Sequence, residues 1–137
     1  MTPIELVNLA IEAREHSYCP YSGFAVGAAL LTKEGKVYQG SNIENVAFGP
    51  TNCAERTAFF TAVHQGEREF EAIAIVGGKA DEPVSELCAP CGVCRQVMRE
   101  FCADDFKIYL SKGDGTYFET NLINMLPFSF SKSNLGG

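Results

Sequence analysis

The run Glu71-Ala-Ile-Ala-Ile-Val76, closed by Gly77-Gly78, decides the fold class. Six residues, five of them apolar and without polar alternation, read as a short strand buried on both faces, and such strands belong to sheets covered by helices on either side. Upstream, Cys53 to His64 carries Ala54, Ala58, Phe59, Ala62 and Val63 in a helix-forming setting, with Gly66 as its stop. Downstream, Lys79 to Pro90 is a loop with two prolines. Cys91 to Phe101 then repeats Val93, Val97, Met98 and Phe101 at helical spacing, and Phe106 to Leu110 is a further strand. Helix, strand, helix, strand predicts an α/β chain with crossover connections and a largely parallel sheet edge.

Towards the N-terminus, Phe24 to Thr32 and Val37 to Gly40 form two strands joined by the Gly-containing turn Lys33-Glu-Gly-Lys36. Gly27, Ala28 and Ala29 in the first strand predict an element packed very close against it. Before it, Ile4, Val7, Ala10, Ile11 and Ala13 recur along an amphipathic helix from Pro3 to Ser17. Ser41 to Asn52 is a polar loop of the kind that carries sites on a rigid scaffold. Ser129 to Gly137 reads as a polar tail, and Phe128 and Phe130 beside it lack a reason to sit in water.

The whole has 137 residues, room for one domain over residues 1–137 and too little for two. Hydrophobic residues at 46% and charged residues at 20% fit a globular chain and exclude disorder. Eleven Lys and Arg against seventeen Asp and Glu leave a net charge of −6, the wrong sign for gripping a long nucleic acid. No apolar run approaches a membrane span, and Met1 to Ala10 lacks a basic region followed by an apolar stretch, which places the chain in the cytoplasm. Six cysteines stand at 19, 53, 88, 91, 94 and 102. Three of them, at intervals of three, are too close to staple separate parts of a core, so reduced thiols and metal ligands fit better than disulfides.

The chemistry concentrates in Thr51-Asn-Cys53-Ala-Glu55-Arg56 and, 38 positions after Cys53, in Pro90-Cys91-Gly-Val-Cys94-Arg95-Gln96. Cys53 opens one predicted helix and Cys91 and Cys94 open another, where the positive end of each macrodipole favours thiolate. Cys91 and Cys94 share a helical face, so their sulfurs can hold one ion with Cys53 as third ligand. Three thiolates leave a corner of a zinc tetrahedron open, the mark of a catalytic zinc that activates water. Glu55 lies beside the metal without being forced to ligate it, as a proton carrier must. Arg56 or Arg95 is placed to offset the thiolate charge.

Other readings compete. Cys88 would turn the site into a closed structural zinc module if it supplied a fourth sulfur. Cys91 and Cys94 alone would serve a redox protein. By itself Glu55 is an ordinary first-turn acid, Asn42 and Glu44 are ordinary loop caps, and Cys19 and Cys102 are small buried hydrophobes.

Cys53-Ala-Glu55 with Pro90-Cys91-x-x-Cys94 resembles the zinc-dependent cytidine deaminase family in its short, homotetrameric branch. The similarity extends through Cys19-Pro-Tyr-Ser22, Phe24 to Leu31, Gly40-Ser-Asn-Ile-Glu-Asn45 and Leu126-Pro127. It implies a three-layer α/β/α sandwich with a mixed five-stranded sheet, one zinc held by Cys53, Cys91 and Cys94, and Glu55 as catalytic proton shuttle. It implies further that Arg56 bonds a thiolate, that Asn42 and Glu44 hold the ribose hydroxyls, that Phe24 packs on the nucleoside and that Ala54 offers backbone contacts to the pyrimidine. Phe130, with Phe128 as a rival, would stack on the base in a neighbouring subunit's site. The implied activity is hydrolysis of cytidine and 2′-deoxycytidine to the uridine products and ammonia. A deaminase acting on a different nucleoside analogue is the nearest variant.

Overall fold

The computed structural model describes residues 1–136. Its elements are α1 (Pro3–Arg14), β1 (Phe24–Thr32), β2 (Val37–Ser41), α2 (Ala54–His64), β3 (Phe70–Lys79), α3 (Gly92–Phe101), β4 (Lys107–Leu110), β5 (Phe118–Asn121) and α4 (Leu122–Met125), then a 3-10 turn at Lys132–Leu135. The five strands make one mixed sheet in the order β2-β1-β3-β4-β5.

The expected parallel character is confined to one pair. β3 and β4 run parallel, with Ile73 opposite Ile108, whereas β1 is antiparallel to both β2 and β3. The crossover through α2 exists, but it carries the chain from β2 over β1 to β3. β2 and β3 therefore point the same way with an opposed strand between them.

Side-chain alternation along the central strands sorts the two faces. Ala28 and Leu30 of β1 and Ile73 and Ile75 of β3 face α2 and α3, where Ala58, Phe59, Met98 and Ile108 complete the larger core. Ala29, Ala72, Ala74 and Val76 face α1 and meet Leu6, Val7 and Ala10. Mostly small residues on this second face let α1 lie close to the sheet. Gly27 marks the contact: a β-carbon there would stand 2.0 Å from Ala10 O and 2.5 Å from Arg14 N. The close approach expected from Gly27, Ala28 and Ala29 is therefore that of α1 on the face of Gly27 and Ala29, while Ala28 faces α2.

Beyond one-residue shifts at element ends, four elements and the tail differ from the sequence reading. α1 stops at Arg14 rather than Ser17, β3 continues through Gly77-Gly78 to Lys79, and β5 and α4 occupy a stretch left unassigned. Gly77 and Gly78 extend the strand by pairing with Val26 and Ala25, and the bare Gly77 leaves room for Cys88, whose sulfur a β-carbon there would meet at 2.8 Å. The polar tail is partly ordered: Ser131 caps the 3-10 turn and Gln96 Nε2 donates to Phe130 O at 2.8 Å. Gly137 of that tail lies outside the described residues. Among the described residues no helix is long and apolar enough to cross a membrane.

Candidate zinc and nucleoside site

Cys53 and Cys91 are the N-cap residues of α2 and α3, each with extended backbone (ψ 158° and 168°) and no side-chain capping bond. At this position a polar side chain ordinarily accepts from the first-turn amides; here a thiol takes its place, at the positive end of the helix. Cys94 follows one turn into α3 and is buried. The two helix starts meet so that Cys53 Sγ lies 3.7 Å from Cys91 Sγ, and Cys91 Sγ 3.4 Å from Cys94 Sγ. All three sulfurs fall within 4.8 Å of one another. Zinc–sulfur bonds of about 2.3 Å at tetrahedral angles require sulfur separations of about 3.8 Å, so this donor set fits zinc in both chemistry and spacing.

The charge of the cluster is already arranged. The hydrogen bond from Cys94 and those from Arg56 and Cys91 outweigh burial and draw the Cys53 thiol down to about 5. Bonded to Cys53 and buried, Cys94 is pushed up, so without metal the anion resides on Cys53. Arg56 Nη2 donates to Cys53 Sγ at 3.2 Å, and its Nε is buried without a partner. Of the two arginines the sequence offered, Arg56 touches a thiolate. Arg95 is used elsewhere, donating to Pro90 O at 2.7 Å and Met125 O at 2.8 Å.

Glu55 is 4% exposed. Burial pushes its carboxyl up to about 7, and the neighbouring Cys53 charge adds to the shift. An acid near neutrality beside a metal-binding cluster is suited to both taking and giving a proton.

The cluster floors a cleft of about 270 Å³ walled by Phe24, Val26, Asn42, Glu44, Cys88 and Ala89. A nucleoside-sized group fits such a cleft. Asn42 is held by β1: its Oδ1 accepts from Val26 N at 2.9 Å and its Nδ2 donates to Phe24 O at 2.8 Å. Each end retains one further hydrogen-bonding site for a ligand. Glu44 accepts from the Tyr21 and Ser22 amides at 3.0 and 3.1 Å and from the Ser22 hydroxyl, which hold its carboxylate below the usual range.

A scan of family models matches residues 2–110 to the zinc-binding region of cytidine and deoxycytidylate deaminases. The chain belongs to that family. It is 50% identical over 131 residues to a cytidine deaminase of Sporosarcina psychrophila, covering 96% of this chain and 93% of the relative. It is 48% identical over 130 residues to that of Halalkalibacterium halodurans, covering 95% of each. The crystal structure of cytidine deaminase from Burkholderia pseudomallei superposes with a TM-score of 0.85 at 46% identity, over 95% of this chain and all of that one.

Within this deaminase-family chain the structure brings together Cys53, Cys91, Cys94, Glu55, Ala54, Phe24, Asn42 and Glu44 around one cleft. Cys88 lines the cleft, yet among the described residues it does not join the group of three sulfurs, and burial pushes its thiol up to about 11. Phe130 does not line the cleft of its own chain. It is 60% exposed, and Phe128, the one non-glycine among the described residues with positive φ (53°), is fully exposed. Ser22 is the contributor that residue patterns did not single out. Its signal was the turn Pro20-Tyr-Ser-Gly23, whose amides and hydroxyl take the Glu44 carboxylate.

Proposed function

We propose that the chain hydrolyses cytidine and 2′-deoxycytidine to uridine and 2′-deoxyuridine with release of ammonia. The observation that carries the reading is the buried Glu55 set two residues beyond Cys53, at the floor of a nucleoside-sized cleft. Cys53, Cys91 and Cys94 hold one zinc, which when bound supplies Lewis acidity to a water molecule.

The chain's own residues do the rest. Glu55 takes a proton from the attacking water and gives it to N3 of the pyrimidine as oxygen adds to C4. It then takes the proton of the hydroxyl now on C4 and passes it to the exocyclic nitrogen as the C4–N bond breaks, so that C4 becomes the carbonyl of the uridine product and ammonia leaves. Burial of the carboxyl suits this double role, because a strongly acidic group would accept the proton poorly. Arg56 offsets the charge of three thiolates, which would otherwise blunt the metal. Asn42 and Glu44 take the ribose hydroxyls through the hydrogen-bonding positions that the backbone leaves free, Phe24 packs on the nucleoside and Ala54 meets the pyrimidine through its backbone.

Phe130 serves a neighbouring copy. Its absence from its own cleft, and the exposure of Phe128 and Phe130, support a homotetramer in which this aromatic closes the adjoining site. The 137 residues act as one catalytic domain, and free thiols at all six cysteines suit a reducing cytoplasm.

The test is Glu55→Gln in the zinc-loaded protein, followed by the ultraviolet absorbance of cytidine. The variant keeps one zinc per chain and its fold and loses at least about 10²-fold in kcat. Full turnover by the variant, or no turnover by the zinc-loaded parent, would end the proposal.

A further inference from the structure

Arg14 is half-buried at the last turn of α1, on the side of the sheet away from the zinc ligands' helices, and its guanidinium is spent on backbone carbonyls. Its Nε donates to Ala25 O at 3.1 Å, and its Nη2 donates to Lys79 O and, at 2.8 Å, to Glu82 O. The three acceptors belong to two segments, the start of β1 and the end of β3 with the loop that follows it. Ala25 follows Phe24 at the start of β1. Lys79 ends β3, and Glu82 lies in the segment that runs on to Cys88, Ala89 and Cys91.

Both segments contribute side chains to the lining of the cleft. Phe24 and Val26 come from one; Cys88 and Ala89 come from the other. Apart from the sheet ladder, few bonds fix the second segment between Ala80 and Ala89, and at its far end Arg95 Nε holds Pro90 O. The β1–β3 ladder ends at Phe24 opposite Lys79, Ala80 N donates to Gly23 O at 2.8 Å, and beyond that the 80–90 segment returns to the sheet through a single bridge, Gly77 to Glu86. The reach of Arg14 depends on Gly27: without a β-carbon there, the backbone of Arg14 settles onto β1 and the side chain extends across Gly78, its Nη2 at van der Waals distance from where a β-carbon would stand. A planar fork with donors on several edges can meet carbonyls in two directions at once, which a single ammonium at the end of a lysine cannot reproduce with the same geometry.

We infer that Arg14 is a positioning residue for the reaction: it fixes the distance between the Phe24 wall and the Cys88–Ala89 wall, and so sets how tightly the cleft holds its nucleoside. It touches neither the metal ligands nor Glu55, so its removal loosens substrate binding and leaves the chemical step in place. The kinetic part of this inference rests on the deaminase reading; the local ordering of residues 80–90 does not.

The experiment compares zinc-loaded wild type, Arg14→Ala and Arg14→Lys by steady-state kinetics on cytidine and by hydrogen exchange of proteolytic peptides. Arg14→Ala is expected to raise KM about 10-fold, equivalent to about 1.4 kcal/mol, with kcat within about 3-fold of wild type. Amides of residues 80–90 exchange at least about 10-fold faster, while those of α2 and β4 keep their wild-type rates. Arg14→Lys recovers part of both effects, and it decides by the same two criteria if the alanine variant does not fold. An unchanged KM, a loss confined to kcat, or faster exchange spread evenly over α2 and β4 would each overturn the inference, the last because it marks general destabilisation. Should wild type fail to turn over cytidine, the deaminase reading falls while the exchange measurement still decides the role of Arg14.

Discussion

Replacing Gly40 by alanine tests whether the packing of β2 against α2 sets the geometry of the sulfur cluster. Gly40 pairs with Ala28 in the sheet and lies directly beneath the first turn of α2. A β-carbon there would stand 2.4 Å from Ala54 O, 2.5 Å from Ala58 N and 3.1 Å from Ala58 Cα. All three atoms are helix backbone, so no side chain can rotate away. To reach ordinary contact the start of α2 must retreat by about 1 Å, and that start carries Cys53, Ala54 and Glu55. Overpacking of this kind costs about 1–3 kcal/mol, which for a chain of this size lowers the melting temperature by roughly 4–12 °C. A retreat of about 1 Å is large beside the sulfur separations of 3.4 and 3.7 Å, and a misplacement of that size costs about 10²-fold in turnover. The assays are calorimetric melting, zinc per chain after dialysis, and kcat/KM on cytidine. Gly35→Ala is the control: Gly35 sits at φ 95° in the β1–β2 turn with open space around it, so it costs about 1 kcal/mol in backbone strain and leaves activity unchanged. A Gly40→Ala protein that melts and turns over like wild type would refute the reasoning, as would an equal loss of activity in Gly35→Ala.

Three further outcomes are expected. In zinc-free protein at pH 7, iodoacetamide alkylates Cys53 ahead of Cys88 and Cys102, read by peptide mass mapping, because Cys53 is drawn to about 5 while burial pushes the other two to about 11 and 12. Cys102 also bears on alkaline stability: its folded value lies above the unfolded value near 9, so its contribution is whole below pH 9 and is lost as pH rises from 9 towards 12, at about 1 kcal/mol per pH unit. Cys102→Ala accordingly flattens the fall in melting temperature over that range. Phe59→Ala removes a fully buried ring that meets Phe70, Phe101 and Phe106 at centroid distances of 5.1 to 6.2 Å, and it lowers unfolding free energy by about 3–5 kcal/mol in denaturant titration.

Legibility in the sequence followed burial. Strands β1 and β3, covered on both faces, announced themselves as apolar runs, and β1 falls at its expected bounds of Phe24–Thr32. Strand β5 did not, because Phe118-Glu-Thr-Asn121 is an edge strand with no buried residue, and nothing in its pattern separates it from a loop. The direction of pairing was equally hidden. Runs of strand and helix indicate that crossovers occur, but they do not say whether β1 sits inside or outside the β2–α2–β3 crossover; the pairing of β1 with both β2 and β3 decides that.

The site divides the same way. The three-sulfur cluster and the buried Glu55 beside it were legible because the proposed chemistry needs particular residue types at fixed intervals on two helix starts. The residues that aim them carry no such mark. Ser22 and the Tyr21 amide orient Glu44 through a turn, Asn42 is locked by the backbone of β1, and Arg14 binds only carbonyls, which every residue possesses. A side chain whose partners are backbone atoms leaves no complementary residue elsewhere in the sequence to betray it. The same absence makes such a residue hard to replace: its acceptors cannot mutate to suit a shorter donor, so substitution at Arg14 must be met by movement of the chain. That movement falls on the segment carrying Cys88 and Ala89, which is why its cost is expected in substrate binding before it appears in the chemistry proposed for Glu55.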